Sequence, residues 1–398
     1  MTDVKDDGGA VSATALIHHG YTPPGGFAAV QPAVHKASTV IFANTQALHA
    51  RQWKDKTGYT YGLHGTPTTF TLEERISTLE GGLQTLLLPS GLAAIALVDM
   101  ALLHSGDEVL IPDNAYGPGK ELARCELARW GISHRFYDAM DPSSLDAALS
   151  PATKLVWLEA AGSVTMEFPD LPALVRRIRA HGALTALDNT WGAGIAFPAF
   201  EIEPGLGVDV SIQALTKYPS GGADVLMGSV TTRDDNLHLR LKASHMRMGW
   251  GVGANDAELL LRSLPTLALR YHAQDRAARR LADWWSQRTE VAQVLHPALA
   301  GSPGHASWQR QCTGSAGLFS VVFDERYGQV QVHAFVDALR LFKIGYSWAG
   351  PVSLVVPYDL ASMRKRPAWP GTLVRFSVGL EDVDDLIGDC EQALVSLG

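Results

Sequence analysis

Residues 184–191 have the sequence Leu184-Thr185-Ala186-Leu187-Asp188-Asn189-Thr190-Trp191, which is an apolar run of strand length that ends in a carboxylate. Similar short apolar runs lie on both sides of it, at 85–89, 108–112, 155–159, 210–214 and 225–231. Helical stretches of about 10 to 15 residues separate several of these runs. This alternation predicts an α/β fold, in which βα units form a mostly parallel sheet with helices on both of its faces.

The pattern changes after this region. A long helical region at about 256–288 is followed by β-like runs at 317–323, 354–356 and 374–378, and a final helix begins at Glu381. Strands and helices in this order, without regular alternation, predict a smaller α+β domain at the C-terminus.

The N-terminal part shows little periodicity between residues 10 and 60, and its first ten residues are acidic and glycine-rich, which predicts disorder there. Long irregular segments are uncommon inside one compact domain, so we expect this segment to lie over a neighbouring subunit. We therefore divide the chain into an N-terminal arm (1–65), a large domain (66–260) and a C-terminal domain (261–398).

The composition of the 398-residue chain argues against several classes of function. A net charge of −8 argues against a nucleic-acid partner, because binding to phosphates needs a basic excess. No apolar run reaches the roughly 18 residues of a membrane helix, and the N-terminus has no signal-peptide pattern. Three scattered cysteines suit a reduced, cytoplasmic protein without disulfides, and no spacing of histidines or cysteines predicts a metal site. The densest basic cluster, Arg364-Lys365-Arg366, is expected to be a solvated loop.

Ligands of open α/β sheets bind beyond the carboxyl ends of the strands, and unusual residues follow several of the predicted strands. The turn Ser90-Gly91-Leu92 opens an apolar helix, where backbone N–H groups can bind an anion, although an ordinary strand–helix turn has the same sequence. Asp188 can pair with a cationic heterocyclic nitrogen, or it can cap a helix or form an Asx turn.

Lys217 follows the predicted strand 210–214, in the sequence Ala214-Leu215-Thr216-Lys217-Tyr218. Partial burial there would leave its amine more readily neutral and nucleophilic, but a surface lysine at a strand end is the plain alternative. Thr216 offers a hydroxyl to an anion, and Tyr116 offers an aromatic ring. Together with Asp188 and the turn at Gly91, these residues match the needs of pyridoxal phosphate (PLP): a lysine, an anion cradle and an acid for the ring nitrogen.

The order of these motifs resembles the Cys/Met-metabolism family of PLP enzymes, whose fold is the fold type I shared with aspartate aminotransferase. The resemblance extends from about Ala37 to the C-terminus and includes two further motifs, Tyr61-Gly62-x-x-Gly65-Thr66-Pro67-Thr68 and Leu79-Glu80-Gly81-Gly82. Within the family, the chain most resembles the bacterial cystathionine β-lyases. Three segments carry this resemblance: 162–167, 345–350 together with Ser353-Leu354, and Arg375 followed by 379–386.

The resemblance implies a role for each candidate residue. Lys217 would form a Schiff base with PLP and later move protons, Asp188 would pair with the ring nitrogen, and Tyr116 would stack on the ring. The phosphate would be held by the backbone amides of Gly91 and Leu92 together with Thr216.

The resemblance also implies a substrate site that two subunits share. Arg375 would bind the α-carboxylate of the substrate, and Ser347 and Trp348 would line its pocket. Tyr61 would reach the phosphate and the substrate of the neighbouring subunit. The family is typically a homotetramer, a dimer of dimers, so we expect the same assembly here.

The chain departs from the family pattern at three places. Leu63 stands where the family usually has an arginine, so one contact with the phosphate is missing, or His64 or another group replaces it. Ala214 stands where many relatives have a serine, and residues 221–224 read Gly-Gly-Ala-Asp instead of Gly-His-Ser-Asp. These departures bear on phosphate affinity more than on the reaction.

The function predicted from these motifs is β-elimination at a carbon–sulfur bond of cystathionine. The nearest alternative is γ-elimination or γ-replacement by an enzyme of the same family. A nicotinamide dehydrogenase is disfavoured, because Gly249-x-Gly251-x-Gly253 lacks the G-x-G-x-x-G spacing and follows no clear strand. A binding protein that keeps the fold without PLP is the third alternative.

Overall fold

The computed structural model describes residues 30–364 and 369–398. The predicted disorder of the first ten residues, the first part of the predicted arm, and Lys365 and Arg366 lie outside the described residues. Residues 33–398 form one compact unit that contains two sheets, and only 30–32 are described of the other unit, 1–32.

The larger sheet has seven strands, in the spatial order 1-7-6-5-4-2-3. The second to sixth strands run parallel to one another, whereas the seventh is antiparallel to both of its neighbours. The predicted, mostly parallel α/β sheet is therefore confirmed. The strands are β1 (Gln84–Leu88), β2 (Glu108–Pro112), β3 (Ser133–Tyr137), β4 (Thr153–Glu159), β5 (Leu184–Asp188), β6 (Val210–Gln213) and β7 (Gly228–Thr232).

Two strands of this sheet differ from the prediction. The sequence did not predict β3, because it is the edge strand and its first four residues, Ser-His-Arg-Phe, alternate between exposed and half-buried positions. Strand β7 begins at Gly228 and not at Val225, because Met227 is bonded to the backbone and the side chain of Thr216.

Helices cover both faces of the larger sheet. Val109 and Ile111 pack with residues from 94–98 and 237–241, whereas Leu110 between them packs with residues from 145–148 and 171–178. Alternate side chains of a strand thus enter opposite helical layers, as expected for a sheet buried on both sides. The helices are α1 (Thr45–His49), α2 (Pro67–Glu80), α3 (Gly91–Leu102), α4 (Gly117–Leu122), α5 (Pro142–Ala148), α6 (Leu171–His181), α7 (Asp235–Met248), α8 (Ala254–Ser263), α9 (Leu267–Ser286), α10 (His305–Gln311), α11 (Gln329–Ala338), α12 (Leu360–Met363) and α13 (Val383–Leu394).

The smaller sheet has five strands, of which only the first and second in space are parallel. Trp285 of α9 and Phe335 of α11 pack on one face of it, against Phe319 and Phe376. The strands, in the spatial order 10-11-12-9-8, are β8 (Val291–Leu295), β9 (Leu318–Phe323), β10 (Lys343–Ile344), β11 (Leu354–Tyr358) and β12 (Leu373–Ser377).

The long helical region predicted at 256–288 is two helices, α8 and α9. A short 3-10 turn with Pro265, Leu264–Thr266, separates them, because proline cannot donate the hydrogen bond that would continue α8. Among the helices of the described residues, none combines the length and the apolar composition needed to cross a membrane.

Candidate active site

The start of α3 forms a cradle of backbone N–H groups beside β6 and β7. Ser90 caps the helix by accepting a hydrogen bond from the N–H of Ala93 at 3.0 Å, which leaves the N–H groups of Gly91 and Leu92 without a helical acceptor. Only glycine fits at position 91, because a Cβ there would lie 2.6 Å from the Cβ of Ala214. The small side chain of Ala214 therefore belongs to this close packing.

Asp188 and Glu159 end neighbouring parallel strands and are paired in register, so both side chains leave the same face of the sheet. Asp188 accepts a hydrogen bond from the N–H of Thr190 at 3.0 Å, and Glu159 accepts one from the N–H of Tyr116 at 2.8 Å. Burial raises the pKa of Asp188 and raises that of Glu159 well above its ordinary range, with Asp188 as the next cause for Glu159. A cation at this point would relieve the crowding of two carboxyl groups.

Lys217 lies in the loop after β6, partly buried among groups from both sheets. Its Nζ donates a hydrogen bond to the Oγ of Ser347 at 2.7 Å and lies 5.4 Å from the centre of the Trp348 ring. Burial and the charge of Arg375 lower the pKa of Lys217 to about 8, against a smaller opposing effect of Asp188. About a tenth of this amine is therefore neutral near pH 7, far more than for an ordinary lysine, and the neutral form is the one that acts as a nucleophile or a base.

Arg375 is a buried guanidinium of β12 that has no carboxylate partner within residues 30–364 and 369–398. It donates to the backbone oxygen of Ser347 at 3.2 Å and lies 5.4 Å from the ring centre of Tyr358, while its Nε has no hydrogen-bond partner. Burial lowers the pKa of Arg375, which remains cationic. A buried, unpaired arginine is costly unless a ligand supplies an anion.

The positions of Thr216 and Tyr61 give less direct support to their predicted contacts with the phosphate. The Thr216 hydroxyl bonds to the backbone N–H and oxygen of Met227, at 3.1 and 3.2 Å, so it would have to turn to donate to a phosphate. Tyr61 is 47% exposed and its ring packs edge-on against His64, which leaves its other face open to another chain. Both roles remain predictions.

His64, the residue expected to take over a phosphate contact in place of Leu63, is poorly suited to that role. Its Nδ1 is 2.7 Å from the Oγ1 of Thr60, and burial, followed by the charges of Lys242 and Arg51, lowers its pKa. A neutral imidazole that is already bonded offers little to a phosphate.

Three residues near the site carry roles that the sequence did not reveal. Glu159 is a carboxylate at the end of a predicted strand, as Asp188 is, and this position could have identified it from the sequence. Tyr358 contacts Arg375, and Arg364 pairs with carboxylates from distant parts of the chain. The expectation that Arg364 is solvated is wrong, because its side chain is only 7% exposed.

The described residues fit PLP. Free backbone N–H groups at Gly91 and Leu92 suit a phosphate, the carboxylate of Asp188 suits a protonated ring nitrogen, and the low pKa of Lys217 suits covalent attachment of an aldehyde. The orphaned Nε of Arg375 suits the carboxylate of an amino acid.

Comparisons with known proteins agree with this chemistry. The sequence model of the Cys/Met metabolism PLP-dependent enzymes matches residues 13–395. Cystathionine β-lyase of Bordetella avium is 38% identical over 96% of each chain, and cystathionine β-lyase MetC of Escherichia coli K12 is 36% identical over 98% of each chain. The crystal structure of cystathionine γ-synthase from Xanthomonas oryzae pv. oryzae with aminoacrylate and cysteine superposes with a TM-score of 0.84, at 30% identity over 93% of this chain and 94% of that one. The chain therefore belongs to the Cys/Met metabolism PLP-dependent enzymes, with PLP as its cofactor.

Proposed function

We propose that this protein is a PLP-dependent lyase that cleaves cystathionine by β-elimination. Cystathionine and water are converted to homocysteine, pyruvate and ammonia, and the bond that breaks joins the β-carbon to sulfur. Sequence identity of 34–38% to several cystathionine β-lyases, over 95–98% of this chain, supports this reaction.

The observation that carries the proposal is the joint placement of Lys217 and Arg375. Ser347 bonds to both of them, through its Oγ to Lys217 and through its backbone oxygen to Arg375. An amino acid whose carboxylate binds Arg375 would therefore have its α-carbon within reach of the Lys217 amine. This geometry suits removal of an α-proton, the first requirement of an elimination.

The side chains of the site then have separate tasks. PLP, when bound, withdraws electrons from the α-carbon and so acidifies its proton. Lys217 takes that proton as a base and returns a proton to the departing sulfur. Asp188 would keep the ring nitrogen protonated, Tyr116 would lie against the ring, and Trp348 would line the substrate pocket beside Lys217.

Product analysis with cystathionine tests the proposal. Equal amounts of homocysteine and pyruvate are expected. Cysteine and 2-oxobutyrate would instead identify γ-elimination, the nearest alternative within the family. Release of neither pair, from enzyme that shows the visible absorbance of bound PLP, would refute C–S cleavage of cystathionine as the function.

We further propose a cytoplasmic homotetramer, formed from two dimers that share their active sites. The exposed ring of Tyr61 and the predicted role of the arm (1–65) support sharing between chains. The cysteines Cys125, Cys312 and Cys390 are all unpaired, which suits a reducing compartment. The division between the large domain (66–260) and the C-terminal domain (261–398) is part of the same proposal, and it places one of the two sheets in each domain.

A further inference from the structure

Arg364 forms a cluster with two carboxylates that are far from it in sequence, buried Glu167 and half-buried Asp113. Its Nη2 donates to both oxygens of Asp113, at 3.0 and 3.1 Å, and its Nε donates to Oδ2 at 3.2 Å. Its Nη1 donates to Glu167 at 2.8 Å. A guanidinium that bonds two carboxylates in this way fixes the positions of both, since an ammonium or a solvated pair would leave them free to move.

The cluster joins the end of α12 to the segment that carries Tyr116. Lys120, at the other end of that segment, donates to the backbone oxygen of Asp113 at 2.8 Å and to that of Met363 at 3.2 Å. One cation from each segment thus bonds to the other segment. Tyr116 lies between Asp113 and Lys120, so its position depends on both bonds.

The other carboxylate of the cluster braces the same segment from a third direction. Glu167 accepts hydrogen bonds from the Nδ2 of Asn114 at 2.8 Å and from the Oγ1 of Thr165 at 2.7 Å. Ser163 donates its N–H to the backbone oxygen of Asn114 at 2.8 Å, and a Cβ at Gly162 would lie 2.3 Å from the Asn114 side chain. The segment 162–167 is therefore built to hold the residue two positions before Tyr116.

The segment that leads to Arg364 begins beside Arg375. Tyr358, the last residue of β11, has its ring centre 5.4 Å from the guanidinium of Arg375. Residues 359–363 lead directly from there to Arg364, and Leu360 is buried in the core. Residues 358–364, here called the strap, thus connect the arginine proposed to bind the carboxylate with the segment that carries Tyr116.

We propose that the strap is a positioning element of the active site and that Arg364 is the residue that fixes it. Arg364 touches neither substrate nor cofactor in this role. It holds the segment 113–120 so that the ring of Tyr116 lies at a set place relative to Asp188 and Arg375. This inference rests on the proposed function only for the rate measurements described next.

The test compares Arg364→Lys with the wild-type holoenzyme. Lysine keeps the positive charge and one ion pair, so the chain should fold, but it cannot bond both carboxylates. We expect kcat for cystathionine to fall about tenfold or more, with KM changed less than about threefold, because a misplaced catalytic ring slows the reaction more than it weakens binding. The visible circular dichroism of bound PLP should change, since it reports the asymmetric surroundings of the ring. Arg176→Lys is the matched control, as Arg176 forms an exposed pair with Glu203.

The same substitution in a Tyr116→Ala variant distinguishes a positioning role of Arg364 from a general disturbance of the fold. In Tyr116→Ala there is no ring to position, so adding Arg364→Lys should lower kcat by less than about twofold. An undiminished loss in that background would overturn the proposal, as would a folded Arg364→Lys with wild-type kcat and circular dichroism. If the wild-type enzyme does not release pyruvate, the proposed function fails, whereas the circular dichroism comparison still decides the role of the strap.

Discussion

Lys217 and Ser347 are joined by a hydrogen bond of 2.7 Å from Nζ to Oγ, although 130 residues separate them in sequence. The backbone of Ser347 has a φ of 98°, in the region that favours glycine, and Ala349 nearby has a φ of 66°. The chain thus keeps a strained, non-glycine residue at the point that bonds to both Lys217 and Arg375. Strain of this kind is maintained where the surrounding structure requires one conformation.

Ser347→Ala should separate the hydroxyl from the backbone conformation. Removal of the Oγ leaves the Lys217 amine without its tether, so we expect kcat to fall about tenfold, the effect of losing one hydrogen bond to a charged group. KM should change little, because the backbone oxygen that meets Arg375 remains. Steady-state kinetics with cystathionine checks both values. Ser347→Gly also relaxes the backbone, so it should raise KM more than the alanine variant does. An equal KM in the two variants would contradict the role of the strained backbone.

The low pKa of Lys217 predicts how PLP attaches to the apoprotein. Only the neutral amine reacts with the aldehyde, so the rate of attachment should rise about tenfold for each pH unit up to about 8 and then level off. The rise in visible absorbance after mixing apoprotein with PLP at several pH values measures this rate.

Two neighbours of Lys217 should move that midpoint in opposite directions. The charge of Arg375 lowers the pKa of Lys217, so Arg375→Ala should shift the midpoint to higher pH. The charge of Asp188 raises that pKa, so Asp188→Asn should shift it to lower pH. Shifts of the same sign in both variants would show that the electrostatic assignment is wrong.

Arg375→Lys should weaken substrate binding more than the chemical step. Lysine keeps the charge but cannot form two parallel hydrogen bonds with a carboxylate, so we expect KM for cystathionine to rise about tenfold to a hundredfold. The fall in kcat should be smaller. Arg280→Lys, in an exposed pair with Asp384, is the control. A KM equal to that of the wild type would exclude Arg375 from carboxylate binding.

The sequence predicted the residues that follow the strands and missed those that the fold brings from a distance. Asp188 and Lys217 could be found because each lies at or just after the end of an apolar run. The carboxyl ends of such parallel strands lie together at one edge of the sheet, where ligands bind. Arg364 could not be placed, since its partners Asp113 and Glu167 are 251 and 197 residues away and its own loop is polar. The left-handed φ of Ser347 has no local signal either, because nothing in a serine indicates it.

Asp99 should make the stability of the protein depend on pH. This carboxyl is buried in α3 and accepts a hydrogen bond from the Nε1 of Trp157 at 2.8 Å, and burial raises its pKa to about 7. The folded state therefore keeps a proton that the unfolded state releases from about pH 4 upward. Its stabilising effect is complete below pH 4 and is lost as the pH rises to about 7.

Asp99→Asn removes this titration and keeps an oxygen for Trp157. Relative to the wild type, the variant should be more stable at pH 8 than at pH 5, with a difference in the free energy of unfolding of about 3 kcal/mol. Denaturant unfolding of the apoprotein at both pH values measures the difference. Asp283→Asn, at an exposed position of α9, should show no such change. A pH-independent difference for Asp99→Asn would show that the carboxyl is ionised throughout.

The proposed sharing of active sites predicts that two variants with little or no activity of their own recover activity when they form mixed dimers. If Tyr61 serves the site that contains Lys217 of the partner, a mixed dimer of Lys217→Ala and Tyr61→Ala chains has one site with both native residues. Co-expression with random pairing should therefore give about a quarter of the wild-type activity, well above that of either variant alone. Lys217→Ala paired with Arg375→Ala is the matched control and should restore nothing, because those two residues belong to the same chain's site. Absence of recovery in the first pair, with mixed dimers shown to form, would place Tyr61 outside the partner's site.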